Sequence, residues 1–352
     1  MKLIFCIPHI STGGAERVMS ILANKFVFIG NEVEIILLSL NKRSYEIAPN
    51  VKITYAGDNG RNSLFDRMKW LRRYVKQKRP DVVVVFLVKA YCMTLLSLYG
   101  TKIPVVASER NDPRFTKPFF WNVLSFMLLP SAAHFVVQTQ RIKDFYPNRI
   151  SFNTSIILNP VSDIVFNLNQ VKKEKVIVSA GRLFPQKNHK LLINAFELIC
   201  QSFPEYSLHI YGDGPCKEEL EKLIIHKNLS NRVLLKGRSD RVIIEMNKAT
   251  LFCLSSDYEG MSNALIEAFC LGLPIVTTDV SGVESFIKDG RNALVVKTGD
   301  THAFAAAMCR LLSDEHLRNS MAGINKDEGK RFHVDDIFTQ WNSLLLEVVH
   351  KE

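Results

Sequence analysis

Short, continuous runs of apolar residues recur along the chain, separated by stretches whose apolar residues have helical spacing. The runs are rich in Val, Ile and Leu and do not alternate with polar residues, which is typical of strands buried on both faces of a parallel sheet. Strands that alternate with helices predict an α/β fold with doubly wound sheets. The predicted strands are KLIFCIP, EVEIILL, DVVVVFL, IPVVAS and AHFVVQT, then KVIVSAG, SLHIYGDG, RVLLKG, TLFCLSS, LPIVTT and NALVVK.

The two series of strands are separated by residues 159–175, NPVSDIVFNLNQVKKEK, where the apolar periodicity is lost. A chain of 352 residues is also too long for one ordinary core. We therefore predict an N-terminal domain over 1–165, a C-terminal domain over 166–330 and a closing helix within 331–352. Open parallel sheets bind ligands beyond the carboxyl ends of their strands, so two such domains are expected to face each other across a cleft.

Charge is distributed unevenly along the chain, which carries a formal net charge of +10. Residues 1–165 have 22 Lys and Arg against 11 Asp and Glu, a balance of +11, whereas residues 166–352 have 23 against 24, a balance of −1. This asymmetry favours an anionic partner for the first domain, such as a phosphate-bearing substrate, a membrane surface or a nucleic acid. The seven scattered cysteines favour a reducing cytoplasm, and neither a signal peptide nor a transmembrane segment is predicted.

Two strand-to-helix junctions resemble phosphate-binding loops. Gly13 and Gly14 follow the first strand and precede a helix, so backbone N–H groups and the positive helix end would point toward an anion. Arg182 and Lys187 occupy the corresponding junction in the second domain, where two cations could hold a diphosphate. An ordinary turn and solvated surface cations are the alternatives. The dinucleotide and Walker fingerprints are both missing.

The stretch SSDYEGMSNALIEAF, residues 255–269, starts a further helix at Ser262 and Asn263 and contains two glutamates. The helix start offers another anion site. Glu267 lies about one turn inside the helix among apolar residues, where a carboxylate could accept hydrogen bonds from a vicinal diol such as ribose. A buried ion pair is the alternative for Glu267. The chain has neither an Asp-x-Asp pair nor a metal-ligand cluster, so no metal is expected.

Taken in order, these motifs resemble the retaining nucleotide-sugar glycosyltransferases of the GT-B fold, family four, of bacterial polysaccharide and glycan-lipid synthesis. The resemblance runs almost end to end. It implies two Rossmann-like domains, a last helix that crosses back to the first domain, and transfer of a hexose or N-acetylhexosamine from a UDP-sugar without a further cofactor. The motifs are GGAERV at 13–18, SERND at 108–112, GRLFPQKN at 181–188, YGDGP at 211–215, KGRSD at 236–240, the Glu-x(7)-Glu stretch at 259–267 and a closing RFHVDDIFTQWNSLL.

The resemblance also implies roles for the matching residues. Glu267 corresponds to the glutamate that holds the ribose hydroxyls, and Glu259 to the one beside the donor sugar. Arg182 and Lys187 correspond to the pair that binds the diphosphate and stabilises it as it leaves. The resemblance also implies front-face attack with retention, in which the departing phosphate accepts the proton of the acceptor. Further donor contacts are implied for Gly13, Gly14, Gly212, Gly237, Arg238, Ser262, Asn263, Ala264 and Leu265.

One position departs from the family pattern. Many relatives carry a histidine in the loop that here reads Ser108-Glu109-Arg110-Asn111-Asp112, and Arg110 stands in its place. Arg110 could act catalytically by binding an acceptor phosphate or a donor hydroxyl. The alternative is an ion pair with Glu109 or Asp112.

Other classes of protein share some of these features. A nicotinamide-dependent oxidoreductase would share the sheets but needs the absent GxGxxG fingerprint. A nucleic-acid-binding protein would explain the basic half, yet the basic residues do not lie in a known reader motif, so no nucleic acid partner is expected. A two-domain UDP-sugar epimerase is the nearest alternative enzyme, and turnover without an acceptor would favour it.

The segment RNSLFDRMKWLRRYVKQKRP at 61–80 combines an apolar stripe with many basic residues. The stripe of Leu64, Met68, Leu71 and Val75 should pack on the sheet, leaving the basic residues on the surface. A solvated face is one interpretation, and contact with anionic lipid is the other. The segment KPFFWNVLSFMLLP at 117–130 would add apolar contact, or it belongs to the core. We predict an enzyme that is peripheral on the inner face of the cytoplasmic membrane and uses a glycan or polyprenyl-pyrophosphate-linked acceptor. A cytoplasmic monomer is expected.

Overall fold

A computed structural model gives the fold of the chain and describes residues 1–10, 13–39, 45–56, 63–116, 119–169 and 171–351. The chain divides into two compact units. The first unit comprises Met1–Pro160 and Asp335–Glu352, and the second comprises Val161–Val334. Both are α/β units built on an all-parallel sheet, so the predicted fold class is confirmed.

The first unit contains a seven-stranded parallel sheet in the order β3-β2-β1-β4-β5-β6-β7. Its apolar strands are buried because helices cover both faces. The strands are β1 Lys2–Ile7, β2 Glu32–Leu37, β3 Lys52–Tyr55, β4 Val82–Phe86, β5 Val105–Ser108, β6 His134–Val137 and β7 Thr154–Ile156, and the helices are α1 Gly14–Phe28, α2 Leu64–Lys78, α3 Val88–Leu98, α4 Pro113–Thr116, α5 Phe119–Leu128, α6 Gln140–Phe145 and α7 Asn148–Ser151.

The second unit contains a six-stranded parallel sheet in the order β10-β9-β8-β11-β12-β13. Its core lies between the sheet and the helices α9 and α13. The strands are β8 Val176–Ala180, β9 Ser207–Tyr211, β10 Val233–Gly237, β11 Leu251–Leu254, β12 Ile275–Thr278 and β13 Leu294–Val296, and the helices are α8 Ile164–Asn167, α9 His189–Ile199, α10 Lys217–His226, α11 Val242–Lys248, α12 Asn263–Cys270, α13 Thr301–Ser313 and α14 Glu315–Glu328.

The last helix, α15 Val334–His350, packs in the core of the first unit. Trp341 and Leu345 on α15 are fully buried there. The ring of Phe338 lies 4.7 Å from that of Phe26 on α1, in an edge-to-face contact. The closing helix therefore supplies part of the core on one face of the first sheet.

Two strands were not predicted, β3 and β7, and both are edge strands of the first sheet. Each pairs with a single neighbour. An edge strand needs little apolar sequence, and β3 and β7 are four and three residues long. The apolar runs of central strands therefore gave no guide to them.

Helix α2 follows the predicted apolar stripe only in part. Leu71 and Val75 are fully buried, but Leu64 is 57% exposed, so the stripe starts later than predicted. Trp70 and Tyr74 are not part of the predicted stripe, yet they stack on each other at 4.7 Å and pack against the core. The predicted segments also include residues 61–62 and 117–118, which lie outside the described residues.

Candidate functional site

The strand order of the second unit reverses between β8 and β11. In open parallel sheets such a reversal opens a crevice at the carboxyl ends of the two strands, because the following loops turn in opposite directions. Residues 181–188 follow β8 and residues 255–262 follow β11. These are the two segments in which the sequence placed its main candidates.

Lys187 and Glu259 meet across this crevice. Lys187 Nζ lies 2.5 Å from Glu259 Oε1, and both side chains are largely buried. The same carboxylate oxygen accepts a hydrogen bond of 2.6 Å from Ser256 Oγ. The Gln186 amide donates to the backbone carbonyl of Tyr258 at 2.8 Å, which ties the two loops together. The structure thus joins two residues that are 72 positions apart into one buried ion pair.

Arg182 and Arg238, by contrast, are exposed cations. The Arg182 guanidinium lies 5.0 Å from the ring centre of Phe184, in a cation–π contact. Arg238 follows β10 directly. Exposure costs these cations little desolvation, so both remain able to take up an anion from solvent.

The loop glycines of the second unit, Gly212 and Gly237, are required for different structural reasons. Gly212 has a φ of +145°, and a Cβ there would lie 1.9 Å from the carbonyl oxygen of Gly181. Gly181 donates its N–H to the Tyr211 carbonyl, and Gly212 donates to the Gly237 carbonyl, each at 2.9 Å. Gly212 is thus needed where the loops after β8, β9 and β10 join. Gly237 has a φ of +66° with open space around it.

Helix α12 begins beside Glu259. Ser262 is its N-cap, and the Ser262 Oγ accepts a hydrogen bond of 3.5 Å from the N–H of Leu265. The N–H groups of Asn263 and Ala264 belong to the first turn, whose positive end favours an anion. Glu267, about one turn further along α12, is buried at 4% exposure. The predicted N-cap is confirmed. The side chain of Glu267 is buried, as its apolar neighbours in the sequence suggested.

His189 is a further residue of this region that the sequence did not single out. It is the first residue of α9, directly after the loop that carries Lys187. Burial, together with the nearby cation of Lys187, lowers the pKa of His189 to about 4. The imidazole is therefore neutral near pH 7 and adds no charge to the cationic loop.

The start of α1 in the first unit carries its own carboxylate. Gly13 is the N-cap, and a Cβ on Gly13 would lie 2.0 Å from Oε2 of Glu16. Glu16 is buried at 5% exposure, and its Oε1 lies 3.0 Å from Nδ1 of His9. Gly13 and Gly14 were predicted to approach an anion, but here the side chain of Glu16 folds back over the helix start.

Arg110 lies at the carboxyl end of β5 and is buried at 5% exposure. Its guanidinium donates to Asn159 Oδ1 at 2.5 Å and lies 4.7 Å from the ring centre of Phe86. Within the described residues the guanidinium donates to neutral partners, Asn159 and Ser108, whereas the backbone N–H of Arg110 donates to Glu109 Oε1 at 3.1 Å. Asp112 pairs with Arg114. Burial lowers the pKa of Arg110 to about 9, although the neighbouring Glu109 carboxylate opposes this shift. Arg110 therefore carries a buried positive charge at the carboxyl end of β5.

The described residues contain no group of three or more His, Cys, Asp or Glu side chains placed to hold a metal ion. Glu259 is paired with Lys187, and Glu16 with His9. Lys187 and Arg182, which follow β8, place positive charge at the crevice.

Two doubly wound parallel sheets, one with a buried Lys–Glu pair and a capped helix start at its crevice, define a Rossmann-like α/β protein with a ligand site at the second sheet. Residues 161–327 match the family model for glycosyl transferases group 1. Residues 12–163 match the model for Glycosyltransferase Family 4. The chain therefore belongs to the glycosyltransferase family that these two models describe, has the GT-B fold, and is a glycosyltransferase.

Two relatives come from Campylobacter jejuni. One is the GalNAc-alpha-(1->4)-GalNAc-alpha-(1->3)-diNAcBac-PP-undecaprenol alpha-1,4-N-acetyl-D-galactosaminyltransferase, 29% identical over 99% of each chain. The other is the N-acetylgalactosamine-N,N'-diacetylbacillosaminyl-diphospho-undecaprenol 4-alpha-N-acetylgalactosaminyltransferase, 30% identical over 94% of this chain and 95% of the relative. The fold is also that of Anabaena Alr3699/HepE, crystallised in complex with UDP, with a TM-score of 0.85 at 17% identity over 99% of this chain and 100% of the other.

Proposed function

We propose that this glycosyltransferase moves a hexose or N-acetylhexosamine from a UDP-sugar to a glycan or lipid-linked acceptor, with retention at the anomeric carbon. The observation that carries the donor part is the Lys187–Glu259 pair beside the start of α12. It places a cation, a helix N-terminus and a carboxylate at one crevice. A nucleoside diphosphate sugar has matching groups, namely a diphosphate and a hydroxylated ring.

The charges of the crevice suit the cleavage of a sugar–phosphate bond. Negative charge develops on the departing diphosphate, and Lys187, Arg182 and the N–H groups of Asn263 and Ala264 would stabilise it. Positive charge develops at the anomeric carbon, which the Glu259 carboxylate would favour. Glu267 would accept hydrogen bonds from the ribose hydroxyls, and the main chain around Gly237 and Arg238 would contact the base.

A front-face route to retention, rather than a double displacement, is supported by what Glu259 is already bonded to. A double displacement needs a nucleophilic carboxylate and a second carboxyl group as acid and base. Glu259 is held by Lys187 and Ser256, which reduces its nucleophilicity and orients it as a hydrogen-bond acceptor. We propose front-face attack instead, in which the acceptor oxygen bonds to the anomeric carbon, the carbon–phosphate oxygen bond breaks, and the departing phosphate takes the acceptor proton.

Turnover should persist in excess EDTA. The cations of Lys187 and Arg182 serve the diphosphate, so a divalent ion is not required in this proposal. Purified protein would be incubated with UDP-glucose, UDP-galactose and their two N-acetyl forms, and UDP release would be measured with and without chelator. Loss of activity that Mg²⁺ or Mn²⁺ restores would contradict metal independence, and no UDP release from any of the four donors would contradict the proposed donor class.

An acceptor carried on a lipid is supported by the relatives and by the surface of the first unit. Both Campylobacter jejuni relatives are named for undecaprenol-linked glycans. Helix α3 packs between α2 and α5, so these helices form one layer on the sheet. Arg73 and Lys76 on α2 are exposed, and Phe120 and Met127 on α5 are 63% and 69% exposed. Basic and apolar residues on one layer are suited to an anionic membrane surface.

The structure changes which basic residues of α2 can test membrane binding. Arg72 donates to the carbonyls of Ser97 and Tyr99 at 2.8 and 2.7 Å, so it holds the end of α3. Arg67 likewise donates to the Leu38 carbonyl at 3.1 Å. Among the described residues, no helix is long and apolar enough to span a bilayer. Membrane contact would therefore depend on surface residues such as Arg73 and Lys76.

Reversing Arg73 and Lys76 to Glu should weaken binding to anionic vesicles at least about tenfold, since each basic residue near such a surface contributes about 1 kcal/mol. Co-sedimentation with phosphatidylglycerol/phosphatidylcholine vesicles over a salt series would measure this. Lys217→Glu/Lys222→Glu on α10 is the matched control, because it changes the net charge equally on an exposed helix of the second unit. Equal sedimentation with neutral vesicles, or none with either kind, would argue against a lipid surface.

A further inference from the structure

The Lys187–Glu259 pair joins two loops that are far apart in the sequence. Residues 181–188 follow β8 and residues 255–262 follow β11, and these two strands are neighbours in the second sheet. Between β8 and Lys187 the chain forms only one turn of 3-10 helix, Pro185–Lys187. Catalysis needs reacting groups held to within about 0.5 Å, which a short loop does not provide by itself. Other contacts are therefore expected to hold the two loops in register.

Asn188, the residue after Lys187, lies between this turn and helix α9. Its backbone is left-handed, with a φ of +43° and a ψ of +46°, a conformation that Asn and Asp accept better than other residues with a side chain. Oδ1 of Asn188 accepts a hydrogen bond of 3.1 Å from the N–H of Leu191, so Asn188 is the N-cap of α9. The turn and the cap together fix the direction of the Asn188 side chain.

The other end of the same amide reaches the loop after β11. Nδ2 of Asn188 donates to Oδ1 of Asp257 at 2.8 Å. Two further bonds run between these loops: the N–H of Asp257 donates to the Gln186 carbonyl at 2.9 Å, and Ser255 Oγ donates to the Lys187 carbonyl at 3.0 Å. The residue before Lys187, Lys187 itself and the residue after it are thus each bonded to the loop that carries the glutamate of the pair.

The Asn188–Asp257 bond requires an amide at position 188. An amide side chain has both an acceptor and donors, so one group can cap α9 and also donate to a carboxylate. Aspartate would cap the helix equally well but has no donor for Asp257. A bond to an ionised acceptor is also stronger than a bond between neutral groups. Asn188 therefore combines helix start, turn and loop contact in one residue.

We propose that Asn188 is a positioning residue of the transfer reaction. Through Asp257 it holds the loop of Lys187 against the loop of Glu259, so that the cation meets the diphosphate while the carboxylate meets the donor sugar. The inference rests on the proposed function and adds to it a residue pair outside the Lys187–Glu259 ion pair. Asn188 and Asp257 act through that ion pair and not by contact with the donor.

The test compares Asn188→Asp, Asp257→Asn and the double variant with the wild type. Asn188→Asp keeps a residue suited to the left-handed turn and to the cap, but it loses the donor and places two carboxylates together. The double variant restores the bond with donor and acceptor exchanged, and its net charge is that of the wild type. Asn228→Asp is the matched control, because Asn228 is an exposed asparagine with a φ of +56° that follows α10.

Three quantities are measured: the turnover number for UDP release from the four UDP-sugars, the dissociation constant of UDP, and the unfolding temperature. Asn188→Asp should lower turnover about tenfold or more, because a small misplacement of reacting groups is costly. Its UDP affinity should change by no more than about threefold, since Arg182 and the start of α12 still meet the diphosphate. Asp257→Asn should lose only about twofold in turnover, because its amide oxygen still accepts. The double variant should return to within about twofold of wild type.

Unfolding temperatures should stay within about 2 °C of wild type in every variant, and Asn228→Asp should match the wild type throughout. Wild-type turnover in Asn188→Asp, or a double variant as slow as Asn188→Asp, would overturn the inference and leave the proposed function intact. So would an unfolding temperature that falls by about 5 °C or more in Asn188→Asp, since the loss would then belong to the fold of α9. A wild type that releases UDP from none of the four donors would overturn both the proposed donor class and the inference.

Discussion

Replacing Glu259 with Gln should lower the turnover number for sugar transfer by about 10²–10³-fold, the usual cost of removing one group that stabilises developing charge. The carboxylate lies at the β11 side of the crevice, bonded to Lys187 and Ser256. Gln keeps an oxygen that Lys187 and Ser256 can donate to, so the loop should hold its shape. What is lost is the negative charge beside the proposed position of the anomeric carbon.

The affinity for UDP separates this effect from a general disruption of the site. UDP lacks the sugar, so Glu259→Gln should bind it within about threefold of wild type. Glu267→Ala is the matched comparison, since Glu267 is equally buried on the adjoining helix. It should weaken UDP binding by about 1.5–3 kcal/mol, because the ribose hydroxyls lose a charged acceptor. Calorimetric titration that shows equal losses for both variants would contradict this division of roles.

Replacing Gly212 with Ala should destabilise the protein by about 4 kcal/mol or more, among the largest effects of a single substitution. The added Cβ would lie 1.9 Å from the Gly181 carbonyl oxygen, and the φ of +145° is itself unfavourable for alanine. Relief requires the loops after β8 and β9 to separate, which breaks the bond from Gly181 N–H to the Tyr211 carbonyl. Thermal unfolding should shift down by about 10 °C.

Gly290→Ala provides the control for backbone strain alone. Gly290 has a φ of +73°, but a Cβ there would meet no atom within 4 Å. The expected cost is about 1 kcal/mol, the ordinary penalty of a left-handed alanine. If Gly212→Ala and Gly290→Ala unfold at the same temperature, then the close approach of the two loops does not determine the requirement for glycine.

The sequence predicted the sheets well because central parallel strands have a composition of their own. A run such as DVVVVFL suits a strand that is buried on both faces and suits few other structures. Strand β4 lies within this run. The edge strands β3 and β7 escaped because they need no such run. Leu64 was misplaced for a related reason, since the helical period alone does not say which turn of α2 first contacts the core.

The candidate site could be predicted as residue types and positions, but its contacts could not. Glu259 and Lys187 were each selected from a local pattern, and their direct pairing depends on β8 and β11 being neighbours in the sheet. The His9–Glu16 pair was not predicted, because the GGAERV motif suggested an anion site and gave no sign that the glutamate folds back over Gly13. His189 was not selected, because the sequence does not show that its imidazole is buried beside Lys187.

The first unit is discontinuous, with the second unit inserted between Pro160 and Asp335. During synthesis on the ribosome the second unit is therefore completed before the first. Residues 161–334 are contiguous and can fold as soon as they emerge, whereas the first sheet must wait for α15 to cover Phe86 and Phe26, which contact Trp341 and Phe338. During that interval a basic, partly uncovered apolar sheet is open to chaperones and to aggregation. A chain truncated before the last helix would have a complete second unit and a first unit that lacks part of its core.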